Sequence, residues 1–236
     1  MFVFLNNVGM VELTLLTLLG LVIGSFVSLI TYRIPRGLGF ISGRSFCDLC
    51  KEKLAWYDNI PLVSFLRYRG KSRCCSKKIS IRYPLIELAT AIGFVFLYPN
   101  FVLILLFLLT FSILIIDVEH QIIPDELSWL VLFLGLLSPI TYTLYPSLFA
   151  GFLSALVLLF IHLITKGRGM GLGDVKLAIA LGLWLTVDQS LIWLMTAFII
   201  GGIVSVFLLL LRQAKLKTKI AFGPFLIIAF WIILLT

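Results

Sequence analysis

Residues 101–126 read FVLILLFLLTFSILIIDVEHQIIPDE. An uncharged apolar run fills this stretch until Asp117, and the polar residues from Glu119 to Glu126 follow it. About 20 apolar residues cross the hydrocarbon of a bilayer as a helix, because a helix satisfies every backbone N–H and C=O within the segment. The reading is therefore a membrane-spanning helix that ends near Asp117.

Outward from this stretch the same alternation recurs. The 236-residue chain is 61% hydrophobic and 13% charged, with a mean hydropathy of +1.14. Soluble domains average about 45–50% apolar and about 25% charged residues. This chain has too little polar surface to coat a soluble globule, so the predicted fold class is an all-α integral membrane protein with a bundle of about eight transmembrane helices. Residues 1–10 lack a basic region and no small-residue cleavage site follows the first apolar run, so that run reads as a retained span.

The first span covers about Met10 to Thr31, and a polar segment with all four cysteines occupies 33–82. Pro99-Asn100 divides span two, which begins at Tyr83, from span three. Span four covers about Leu127 to Leu144, and Tyr145-Pro146-Ser147 turns into span five, which ends near Thr165. The glycine-rich 167–173 leads into span six, about Val175 to Thr186. Asp188-Gln189 precedes span seven, and the basic run from Arg212 to Lys219 precedes span eight. The expected domains are thus a first helix at 1–32, a small polar cysteine-containing domain at 33–82 and a seven-helix membrane core at 83–236. No soluble repeat is apparent.

Net charge is +8, which raises nucleic acid as a partner, but the basic residues cluster beside the spans. Eighteen of the 19 fall at 33–82, 166–174 and 212–219, alternate connections that share one side of an eight-span topology. That is the positive-inside pattern. It predicts both termini outside and the polar domain in the cytoplasm, with membrane lipid and not nucleic acid as the surrounding partner.

Two acids sit at span ends. Asp117 closes span three and Asp174, after Gly171-Leu172-Gly173, opens span six, so both are expected at similar depth near the cytoplasmic face. A carboxylate there costs several kcal/mol unless it faces water or a partner. Two carboxylates brought together share a proton, which equips one as general base toward water and the other as general acid toward an amide. Glycine beside Asp174 would let backbone approach closely. A simple helix cap is the alternative for Asp174. Asp125 and Glu126 follow Pro124 and suit the first turn of span four.

Six ordered blocks carry a resemblance. Gly171-Leu172-Gly173-Asp174-Val175-Lys176 resembles the G-x-G-D-x-K signature of type IV prepilin peptidases, and Ile116 to Asp125 resembles that family's other aspartate motif. Gly20 to Phe26 with Arg33-Ile34-Pro35-Arg36, Trp56 to Pro61, Ser80 to Pro84 with Glu87, and Phe222-Gly223-Pro224-Phe225 resemble the remaining motifs. The resemblance implies Asp117 and Asp174 as the catalytic pair, supported by Gly171, Gly173 and Lys176. It implies prepilin or pseudopilin substrates with a short basic leader, cut after a glycine at the cytoplasmic face of the bacterial inner membrane. It also implies S-adenosylmethionine as cofactor if the new terminus is N-methylated, although Ser28 stands where the family often has asparagine.

Cys47 and Cys50 form a C-x-x-C pair, with Cys74 and Cys75 following. Four thiolates can hold structural zinc and staple a segment too small for its own core, and a cytoplasmic location disfavours disulfides. The family pattern places a cysteine at residue 72, where this chain has Ser72, and adjacent ligands at 74 and 75 are awkward because successive side chains point apart. Three ligands or none, with a free buried thiol, is the alternative. Gly20 and Gly24 are expected to seat a neighbouring helix of the same chain. Rival functions are a proton- or cation-coupled transporter using Asp117 and Asp174, a thiol oxidoreductase using Cys47 and Cys50, and a preflagellin-type peptidase.

Overall fold

The computed structural model describes residues 9–39, 46–47, 50–138, 144–167, 169–212 and 220–236. Arg168 and the basic run at 213–219, on which the charge argument partly rests, lie outside the described residues. The fold is all-α. Among the described residues there are nine α-helices and no strand, only the isolated bridges Phe46–Lys53 and Lys71–Lys78. The helices are α1 (Met10–Arg33), α2 (Val63–Arg67), α3 (Arg82–Leu97), α4 (Phe101–His120), α5 (Asp125–Leu137), α6 (Leu144–Ile164), α7 (Leu172–Gly182), α8 (Val187–Leu210) and α9 (Gly223–Leu235).

Each of the eight expected spans corresponds to one helix, and α2 is an additional short turn in the polar segment. Four helices (within Met10–Arg36, Phe101–His120, Tyr145–Ile164 and Val187–Leu210) are long and apolar enough to cross a membrane. At 1.5 Å rise per residue, the 11 residues of α7 reach only about half of a hydrocarbon core of about 30 Å. Several boundaries differ from the sequence reading. Helix α4 runs one turn past Asp117 to His120, closed by Gln121 at φ +55°. Helix α5 stops at Leu137, well before Leu144. Helix α7 starts at Leu172, so Asp174 lies inside its first turn rather than ahead of it. A helix N-terminus favours acids and polar caps, and Gly173 and Asp174, which read as preceding span six, form the first turn of α7.

The chain divides into two compact units, Met1–Leu108 and Leu109–Thr236. In the first, α1 packs along α3. A Cβ on Gly20 would stand 2.6 Å from Ala91 Cα and one on Gly24 2.7 Å from Glu87 Cα, so the two backbones touch and nothing larger than glycine fits. The expected intrachain use of this glycine pair is thereby met. Arg82 Nη2 donates to Thr31 Oγ1 at 2.7 Å and ties the start of α3 to the end of α1. Buried Glu87 accepts the Leu62 N–H at 2.9 Å and so anchors the polar segment to α3.

In the second unit α7 is the central element, packed by α5, α6 and α9. Leu177, Ala178 and Leu181 are fully enclosed, and the α6 backbone at Gly151 meets α7 at Gly182. Buried indoles need a partner for their one donor. Trp193 Nε1 donates to Leu226 O at 2.8 Å, and Trp231 Nε1 donates to Thr110 Oγ1 at 3.0 Å. Large apolar side chains such as Leu156, Phe160, Ile199, Ile203 and Val206 point outward instead. An exposed apolar surface of this kind is what a lipid-facing bundle requires.

Candidate active site and thiol cluster

Asp117 lies in the last turn of α4 and Asp174 at the third position of α7. Both are almost fully buried, at 4% and 7% exposure. Asp174 Oδ2 accepts the Gly171 N–H at 3.0 Å, so the capping alternative is real and occupies one of its oxygens. Asp117 Oδ2 is buried without a completed hydrogen bond, and the Gly223 backbone faces it. A Cβ on Gly223 would collide with that oxygen.

The charge of Asp174 acts on Asp117, so the two acids lie in one electrostatic neighbourhood, and Ile123 lies beside it. Its side chain lies 3.1 Å from where a Gly173 Cβ would be and 3.3 Å from where a Gly223 Cβ would be. Residue 173 precedes Asp174 and residue 223 faces Asp117, so the α4–α5 connection, the start of α7 and the start of α9 converge on one locus. Neither carboxylate forms an ion pair among the described residues.

The remaining expected residues sort as follows. Gly171 is the N-cap of α7, and Gly173 seats Ile123. Lys176 pairs with Asp125 at 2.8 Å, and both are about half exposed. That pair links the first turns of α5 and α7 at the surface. Asp125 and Glu126 occupy the first turn of α5, as expected. Gly223 and Ile123 have contact roles that sequence reading did not assign. Gly223 lay within a quoted motif, but only tertiary contact reveals that its missing side chain makes room for Asp117.

In the polar segment, the sulfurs of Cys47, Cys50, Cys74 and Cys75 all lie within 4.8 Å of one another. Cys47 Sγ is 3.9 Å from Cys75 Sγ, and Cys50 Sγ is 2.9 Å from Cys74 Sγ. All four are free thiols. Zinc at about 2.3 Å from each sulfur of a tetrahedron sets its sulfurs about 3.8 Å apart. The donor set therefore fits a zinc ion with small adjustments. The Cys74 thiol beside it pushes the Cys50 thiol up to about 12. Arg73 pairs with Asp58 at 3.1 Å, and Asp58 also accepts the Ala55 N–H, which fastens the second cysteine turn to the Trp56–Asn59 turn.

The cysteines sit on an internal repeat offset by 25 residues. The Cys47 N–H donates to Glu52 O and the Ser72 N–H to Lys77 O, both at 2.8 Å. The Lys51 N–H donates to Cys47 O and the Ser76 N–H to Ser72 O, also at 2.8 Å. Lys51 and Ser76 share a left-handed backbone, at φ +61° and +56°. The two turns share hydrogen bonds rather than side-chain identities, and backbone pattern is invisible to residue comparison.

Residues 18–101 match the bacterial peptidase A24 N-terminal domain, and residues 102–206 match the type IV leader peptidase family. The chain is 34% identical over 256 residues to a prepilin leader peptidase/N-methyltransferase of Pseudomonas aeruginosa, covering 92% of this chain and 88% of that protein. It is 38% identical over 190 residues to one of Klebsiella pneumoniae, covering 72% and 83%. It is 30% identical over 259 residues to one of Neisseria gonorrhoeae, covering 93% and 88%. No solved structure gives a significant match. These two matched segments and the near full-length relatives establish that the chain belongs to the type IV leader peptidase family.

Proposed function

We propose that the protein cuts the leader peptide from type IV prepilins or pseudopilins, with Asp117 and Asp174 as the catalytic pair. The observation that carries this reading is the convergence of two buried carboxylates, without a cation, on one locus of a leader-peptidase family chain. One carboxylate is ionised and takes a proton from water, and the hydroxide oxygen attacks the scissile carbonyl. The other, protonated, donates its proton as the C–N bond breaks, leaving a leader carboxylate and a new amino terminus. No covalent enzyme intermediate is needed. Gly171 and Gly173 shape the first turn of α7 that presents Asp174, and Lys176 braces that turn through Asp125.

The proposed setting is the bacterial inner membrane, with eight spans, a polar domain at 33–82 and the aspartates at the cytoplasmic face. The positive-inside distribution supports that orientation. Zinc is the proposed structural ion of the polar domain, held by Cys47, Cys50, Cys74 and Cys75; it would staple turns too short for a core of their own. N-methylation of the new terminus, with S-adenosylmethionine as donor, is carried to this chain by the names of its relatives. No cradle for that cofactor is identified among the described residues, and no step is derived through it.

The test is cleavage of a purified prepilin in lipid by the wild type, Asp117→Asn and Asp174→Asn, with membrane insertion measured alongside. Shortening by the wild type and failure of both inserted variants is the expected result. Near-full activity of either variant removes that residue from the pair. Inactivity of the wild type on several prepilins favours the transporter reading, to be followed by ion flux.

A further inference from the structure

We infer that the metal site of the polar domain has a shifted register. Cys74 supplies the fourth thiolate in place of the residue at position 72, and Ser72 acts as a hydrogen-bond donor to the metal-bound sulfurs. This rests on the zinc reading above.

The internal repeat aligns Cys47 with Ser72, which hold the same place in the same backbone hydrogen bonds, and Cys50 with Cys75, which each precede the left-handed residue of their turn. By this alignment the second turn lacks its first sulfur, and Cys74 matches residue 49, a non-ligand position. Cys74 nevertheless brings its sulfur into the cluster, 2.9 Å from Cys50 Sγ and within 4.8 Å of the other two. The Ser72 hydroxyl is buried between the two halves, 3.1 Å from Cys74 Sγ and 3.4 Å from Cys47 Sγ. A hydroxyl there cannot replace a thiolate's charge, but its O–H can donate to one. Two neighbouring ligands on residues 74 and 75 become feasible because the chain turns directly after them at Ser76. Each sulfur binds as thiolate and its proton passes to solvent; no oxidation is involved.

Relaxing the place of one ligand while keeping four sulfurs preserves a tetrahedral thiolate site, which three sulfurs and a serine oxygen would not. The outer hydrogen bond from Ser72 would orient the ligand that has moved, the role that outer-shell partners commonly have.

The experiment uses the full-length protein in detergent, loaded with zinc for X-ray absorption and with cobalt(II) for its sulfur-to-metal charge-transfer band. The wild type is expected to bind one zinc through four sulfurs at about 2.3 Å. Cys74→Ser should show three sulfurs plus one light atom at about 2.0–2.1 Å, with a weaker charge-transfer band. Ser72→Ala should keep four sulfurs and lose about 10-fold in zinc affinity by chelator competition. The double variant Ser72→Cys/Cys74→Ser should return to four sulfurs, and it decides the matter even where Cys74→Ser alone misfolds. A wild-type spectrum with three sulfurs, or a spectrum that Cys74→Ser leaves unchanged, overturns the shifted register while leaving zinc in place. A wild type that binds no zinc, or carries a Cys50–Cys74 disulfide seen as resistance to alkylation without reductant, overturns the register and the zinc reading together.

Discussion

The thiol cluster and the aspartate pair gather reactive groups by opposite means. The four sulfurs come from two short turns, each held by its own backbone hydrogen bonds across six or seven residues. The two carboxylates come from α4 and α7, 57 residues apart in sequence, and α9 and Ile123 pack against the locus they share. Local turns leave room for a moved side chain: Ser72 stands where Cys47 stands in the other turn, and the sulfur of Cys74, two positions on, reaches the same cluster. The packed site has no such slack, because Gly223 already presses on Asp117 and a methyl group has nowhere to go. Close-packed interiors transmit small volume changes, whereas solvent-exposed turns absorb them.

Several experiments can break this comparison. Asp117→Asn and Asp174→Asn should each lower prepilin cleavage by about 10²–10⁴-fold, the usual contribution of a positioned acid or base. The double variant should be little worse than either single one, because groups that act as a unit are non-additive. Additive losses, measured as kcat/KM, would mean that the two aspartates do not work on one step. Gly223→Ala should cost about 100-fold in kcat, the penalty for moving a catalytic group by roughly 1 Å. If activity stays near wild type with insertion intact, the packed site has more slack than its contacts allow.

On the other side of the comparison, chelation should loosen only the turns around residues 46–79. Proteolysis there should rise about tenfold, equivalent to about 1.4 kcal/mol of local stability. Digestion of the second unit should not change, and a change there would show that the thiol cluster supports more than its own turns. The smallest effect is expected for Lys176→Ala, which removes an exposed pair with Asp125. It should cost no more than about 1 kcal/mol in unfolding free energy. A cleavage loss greater than tenfold in that variant would give Lys176 a closer part in positioning Asp174.

The apolar runs of the chain by themselves determined that it is a helical membrane protein and where each helix falls, because lipid demands long uncharged segments and leaves loops as the only place for charge. Short order-bearing motifs likewise marked Asp117 and Asp174 as exceptional, since an acid in so apolar a sequence needs a reason. Helix ends were less legible. Asp174 reads as lying just ahead of its helix but lies in the first turn, where the helix N-terminus stabilises acids. Only the tertiary structure decided that Gly223 faces Asp117, that Ile123 touches both sides of the site, and that the Cys74 sulfur comes within reach of the other three beside the Ser72 hydroxyl. Those facts depend on which surfaces meet across tens of residues and on backbone hydrogen bonds that any side chain can share, and neither leaves a pattern in residue identities.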